Sequence, residues 1–170
     1  MNKIEIIPEI SDCYDLFKKL EFDLKRYSKN NHSYELIDCL LTLNSIPEWI
    51  SKSDKISEGL KGLAEGKIYI MKGHENFVFD ESTIDSDIDQ QLRFIRLFCN
   101  HAKHKSESGQ IPRIISRYGA TLPMTLPAKL YNLIALGTKE IDAEFLIHNV
   151  YSFWKDKLDK EKTNDNCYNK

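Results

Sequence analysis

The sequence contains no stretch near the ~20 consecutive apolar residues that a membrane-spanning helix requires, so the chain is not expected to cross a bilayer. Its opening, MNKIEIIPEISD, lacks the long apolar core of a secretory signal, and the expected location is the cytoplasm. Cysteine is sparse. Cys13, Cys39, Cys99 and Cys167 stand far apart with no CxxC pair, which argues against a disulfide framework or a zinc ribbon and points to reduced thiols. Neither sign of charge dominates: 24 Lys and Arg face 26 Asp and Glu, for a net charge of -2. A general polyanion binder would be basic overall, so nucleic acid would have to be met by a local patch.

Several catalytic signatures are missing as well. GLAEGK (62–67) has the glycines and lysine of a phosphate loop, but no hydroxyl residue follows the lysine to hold magnesium. DSDID (85–89) opens like a calcium loop, yet Gln90 stands at its sixth position and Arg96 at its twelfth, where glycine and an acid are needed. There is no GxSxG and no HExxH. No cofactor and no metal site is expected.

What is present is helical patterning. Cys13, Leu16, Phe17, Leu20, Leu24 and Tyr27 recur at i, i+3, i+4 spacing after a capping Ser11, predicting a first helix. KNNHS (29–33) breaks it. A second helix carries Leu36, Ile37, Leu40, Leu41 and Leu43 until Pro47 ends it or starts the next turn. The short break predicts an antiparallel hairpin, closed over by Trp49 and Ile50. Residues 53–65 suggest a short third helix weakened by Gly59 and Gly62, and 66–80 two brief extended segments around Gly73.

A fourth helix is predicted from the acidic ESTIDSDIDQQ (81–91) to a stop at SESG (106–109). RIISRYGATL and AKLYNLIAL then read as a small β-hairpin or sheet, punctuated by Gly119, Pro123, Pro127 and Gly137. A last helix from near Thr138 is expected to bury Ile141, Phe145, Leu146, Val150, Phe153 and Trp154, and EKTNDNCYNK to fray. The expectation is a mainly α, α+β protein: one domain over 1–160, an antiparallel helical bundle with a long central helix, a β-hairpin before the C-terminal helix, and a disordered polar tail over 161–170.

The chemistry concentrates in RFIRLFCNHAKHK (93–105). From Arg93 to Arg113 five Lys or Arg side chains face one acid, Glu107, with His101 and His104 in addition. At ~100° per residue Phe94, Ile95, Phe98, Cys99 and Ala102 turn to the core. Arg93, Arg96, Leu97, Asn100, Lys103 and His104 share the opposite face, with His101 at its flank. Arginine supplies fixed charge and forked donors suited to phosphate; histidine moves protons near neutral pH. Together they are the minimum equipment for metal-free RNA cleavage. Leu97, apolar within a charged face, suits a dimer interface. His32, His74 and His148 are expected to be structural or solvated.

The spacing Arg96-x4-His101 resembles the R-x4-6-H motif of the HEPN superfamily, helical domains with many members among RNase toxins and effectors of bacterial defence. The resemblance implies a homodimer in which two such helices meet and two Arg–His pairs form one metal-independent endoribonuclease site. Arg96 and His101 are then catalytic, and Arg93, Asn100, Lys103 and His104, which share or border the face, contact the substrate. A toxin or abortive-infection effector of this kind would act on RNA and would have an antitoxin or other protein partner. The alternative it leaves is a non-catalytic HEPN-like module that binds a partner protein or a nucleotide.

Overall fold

The computed structural model describes residues 9–74, 77–104, 111–119 and 129–168. Among them are five α-helices and a small antiparallel sheet: α1 Cys13–Asn30, α2 Ser33–Ser51, α3 Glu58–Lys72, α4 Ile88–Lys103, β1 Arg113–Gly119, β2 Lys129–Leu136, β3 Lys139–Asp142 and α5 Ala143–Tyr168. The fold is α+β and mainly α. The stop expected at 106–109, the turn residues Pro123 and Pro127, and the Cys167 side chain lie outside what is described.

α1 and α2 form the expected hairpin. Asp12, rather than Ser11, caps α1 by accepting from the Asp15 N–H at 2.9 Å. Asn31 ends it in the left-handed region, φ 53°. All six apolar residues predicted for α1 are buried. α2 runs through Pro47 to Ser51, past the expected stop. The ring costs a backbone hydrogen bond, but the extra turn carries Ile46, Pro47 and Ile50 into the core, and that burial outweighs the loss.

The largest departure from the sequence reading lies in 66–80. The β-branched run after Gly66 belongs to α3, which continues to Lys72. Ser57 caps its start and Gly73, φ 70°, its end. Gly59, Gly62 and Gly66 sit on its open side with nothing near their Cβ positions, so they weaken the helix without breaking it. Residues 77–80 form no strand. Instead the buried Gln90 holds them, donating to the Val78 carbonyl and accepting from the Asp80 N–H.

α4 begins at Ile88 under an Asp87 cap, later than expected, because a 3-10 turn over Glu81–Thr83 precedes it. The hairpin is the first part of a three-stranded sheet in the order β1-β2-β3, with Ile114 opposite Ile134 and Ile134 opposite Ile141. β3 occupies the segment expected to open the last helix. Gly137, φ 59°, turns the chain back, and α5 starts after Asp142 accepts from the Phe145 N–H. Leu146, Val150 and Trp154 are buried as expected and Ile147 and Leu158 join them on the inner face, whereas Phe145 is 44% exposed and Phe153 only half-buried.

α5 also continues past Lys160, where fraying was expected, to Tyr168. Ion pairs Lys155–Asp159 and Asp156–Lys160 support it at i,i+4. Farther along, Glu161 accepts the Ser57 N–H at 2.5 Å and Lys162 lies 4.8 Å over the Tyr14 ring. The hydrophobic core draws on all five helices and on β2 and β3. α2 packs against the other four helices, and α4 lies against α2, α3 and α5.

Buried polar side chains lock these layers in register. Asp23 accepts from Lys19 and from the Thr42 hydroxyl across the α1–α2 seam. Gln91 donates to the Ile84 carbonyl and accepts from Asn149 of α5. Asn132 of β2 donates to the Tyr27 hydroxyl and the Asn31 carbonyl, and accepts from Ser116. No helix among the described residues is long and apolar enough to cross a membrane.

Candidate functional site

α4 presents the basic segment much as its period requires, with two differences. Phe94, Ile95, Phe98 and Cys99 are buried as expected. Ala102 is exposed among the described residues. Leu97 is half-buried and packs against the core, so it is not the isolated apolar residue on a charged face that suited an interface. Three helices cover α4, and its buried arc spans Gln90 and Gln91 as well as the predicted stripe.

The two arginines have different surroundings. Arg93 is committed to the fold: its Nη1 donates to the Met71 carbonyl at 2.6 Å, satisfying an orphan acceptor at the end of α3. Its guanidinium lies against Gly73, where a Cβ would come within 2.7 Å of it. Glycine is therefore required at 73 twice over, for its left-handed backbone and for the arginine against it. Burial first, and the Arg96 charge second, pull the Arg93 guanidinium below its ordinary value.

Arg96 is half-buried over a small cleft lined by Asn44 and Glu48 of α2 and Ile68, Met71 and Lys72 of α3. It forms no ion pair among the described residues, and neither do Lys72 and Lys103. Asp89, the carboxylate at the start of the helix, is already bound by Lys67 at 2.6 Å. The buried Asn44, whose Oδ1 has no hydrogen-bond partner among the described residues, lines the same cleft.

Asn100, Lys103 and His104 are exposed on the same face as Arg96. His104 also closes the helix, its N–H donating to the Asn100 carbonyl at 2.9 Å. His101 is half-buried at the edge of that face. Its Nδ1 is shielded and has no hydrogen-bond partner among the described residues. Nδ1 is therefore closed to a substrate, and Nε2 is the nitrogen that remains. Five positions along a helix separate Arg96 from His101 by about 140° and 7.5 Å of rise. Within one chain they do not meet.

Cys99 faces inward, its thiol donating to the Leu40 carbonyl at 3.3 Å, and burial pushes it up to about 12. It is no nucleophile at neutral pH. Cys13 and Cys39 are likewise free and buried. His32 caps α2 by accepting from the Tyr34 N–H, and His148 is exposed.

Sequence reasoning passed over the end of α3. Lys72 shares the cleft with Arg96, and the exposed Tyr69 stacks on His74 with ring centroids 3.9 Å apart. The signal for these was hidden, since the segment read as strand. The site is thus a cationic, hydrogen-bonding strip: Lys72 and Arg96 at one end, Asn100, Lys103 and His104 at the other, with His101 beside it. Comparison with known proteins gave no match to a family model, a curated sequence or a solved structure.

Proposed function

We propose that the protein is a HEPN-like, metal-independent endoribonuclease that works as a homodimer, of the type used by RNase toxins and abortive-infection effectors. The observation that carries this reading is the strip itself. Arg96, Asn100, Lys103 and His104 share one face with no ion-pair partner among the described residues, and His101 lies at its edge with Nε2 as the nitrogen left for proton transfer. Unpaired cations and amides at this density suit a phosphate backbone.

In the proposed reaction Arg96 holds the scissile phosphate and offsets the charge that builds on its oxygens. One His101 takes the proton of the 2′-hydroxyl as its oxygen attacks phosphorus. The His101 of the second copy gives a proton to the departing 5′-oxygen as the P–O5′ bond breaks. The products are a 2′,3′-cyclic phosphate and a 5′-hydroxyl. Because Arg96 and His101 point apart within one helix, the chemistry needs two copies. The facing strips are both cationic, so salt or the RNA itself strengthens that dimer.

The test is cleavage of unstructured RNA by the wild type, Arg96→Ala and His101→Ala, with and without chelator. Each substitution is expected to lower cleavage by about a hundredfold or more while circular dichroism stays unchanged, and chelator is expected to have no effect. Loss of activity on chelation would overturn the metal-free mechanism. A second reading, a non-catalytic module that binds a partner protein or a nucleotide, is favoured by the separation of Arg96 from His101; binding without cleavage by any preparation selects it. Light scattering of the wild type beside Lys103→Glu, rather than a change at the half-buried Leu97, tests the dimer.

A further inference from the structure

We propose that the end of α3 extends this strip into a track for single-stranded RNA, in which Tyr69, backed by His74, receives an unstacked base and Lys72 and Arg96 take the flanking phosphates. The proposal rests on the ribonuclease reading for the identity of the strand.

Tyr69 is 50% exposed, and His74 stacks on one face of its ring at 3.9 Å with an interplanar angle of 18°. A surface tyrosine usually loses rotamer freedom when it binds. Here the ring is already braced, and its second face is the one on offer. The aromatic pair also runs directly into the cationic strip. His74 follows Gly73, which the Arg93 guanidinium covers. Arg93 is fixed on the Met71 carbonyl, and Arg96, one turn along α4, shares its cleft with Lys72 and with Glu48 of α2, which forms no ion pair with either cation, so phosphates would meet the outward ends of the two cations.

Stacking surface beside unpaired cations is the composition that recognises single strands: every base has a π-face, and every linkage a phosphate. A duplex keeps its bases stacked inside and has nothing to place on Tyr69. A peptide partner would want an extended apolar groove, and the cleft beside Arg96 is too small to be one. Glu65, one turn before Tyr69 on α3, bounds the track on that side by repelling phosphate.

The experiment uses the full chain and a labelled short RNA with 2′-O-methyl sugars, which cannot be cleaved, as a single strand and as a duplex. Binding is read by fluorescence anisotropy at several salt concentrations. Tyr69→Ala is expected to weaken the single strand about tenfold and leave the duplex unchanged, whereas Tyr69→Phe binds like the wild type. Lys72→Ala is expected to flatten the salt dependence of the single strand by about 0.7 in log–log slope. Equal binding by Tyr69→Ala, equal loss for strand and duplex, or no binding of the single strand overturns the track. Circular dichroism of Tyr69→Ala checks that the outward-facing change leaves the fold intact, and His74→Ala gives an independent, smaller loss. Cleavage of unmodified RNA is scored separately. Cleavage with no dependence on Tyr69 sinks the track alone; Tyr69-dependent binding without cleavage sinks the ribonuclease reading alone.

Discussion

The seam between α1 and α2 and the outer strip of α4 both carry charge, and they use it in opposite ways. At the seam the charges are paired, although Glu35 keeps one buried oxygen, Oε2, with no hydrogen-bond partner among the described residues. Lys19 reaches Asp23 at 2.5 Å and Thr42 at 2.9 Å, and Glu35 takes Asn30 at 2.7 Å and Arg26 at 3.5 Å. Along α4 Asp89 is taken by Lys67, and Arg96, Asn100 and Lys103 form no ion pair among the described residues, although Glu48 of α2 lines the same cleft as Arg96. Charge that the fold uses is paired and half-hidden. Charge that it does not use is available to something else.

The contrast can be strained from the buried side first. Burial pushes the Cys39 and Cys99 thiols up to about 12 from 9.0, and the Tyr27 hydroxyl up to about 12 from 10.0. Above about pH 9 the unfolded chain releases these protons and the folded chain keeps them. The folded state then binds more protons, so stability is full below that pH and falls as pH rises toward 12. The urea midpoint is expected to drop steeply between pH 8 and 11, and Cys99→Ala to lose part of that slope; a flat midpoint would contradict it. Next in size is Asp23→Ala, which removes the buried partner of Lys19 at the seam while Thr42 keeps the Asp38 carbonyl and Lys19, and is expected to cost about 2 kcal/mol in urea denaturation.

Arg93→Ala frees the Met71 carbonyl and uncovers Gly73, for an expected loss of about 1 kcal/mol. Its measured cost separates it from the open residues of the same helix. Smallest is Lys103→Ala, expected to move stability by less than about 0.5 kcal/mol while weakening RNA binding. A stability loss at Lys103 equal to that at Asp23 would erase the distinction between the two regions.

The sequence carried the parts of this picture that depend on one element at a time. The i, i+3, i+4 spacing in α1 placed all six of its core residues, and the same period put Arg96, Asn100, Lys103 and His104 on one face. What it misplaced depends on neighbours. Leu97 sits on the polar side of a helical wheel, and only the packing of three other helices half-buries it. Ala102 errs the other way, since it is exposed among the described residues. KIYIMK reads as strand by its β-branched residues, while the cap that makes it helix, Ser57, lies ten residues upstream of Lys67. Gln90 and Gln91 look like surface amides until the carbonyls of Val78 and Ile84 are seen against them. Tyr69, Lys72 and His74 were invisible as a group because their helix was.

Asn132 joins parts of the chain that are far apart in sequence. One carboxamide of β2 holds the Tyr27 hydroxyl, the Asn31 carbonyl at the α1–α2 bend and the Ser116 hydroxyl of β1. The sheet therefore cannot lift away without exposing a buried amide and releasing that bend. The bend and the middle of the sheet should behave as one cooperative opening unit. In hydrogen exchange the amides around Asn31 and Asn132 should share a common opening free energy, although about a hundred residues of chain separate them.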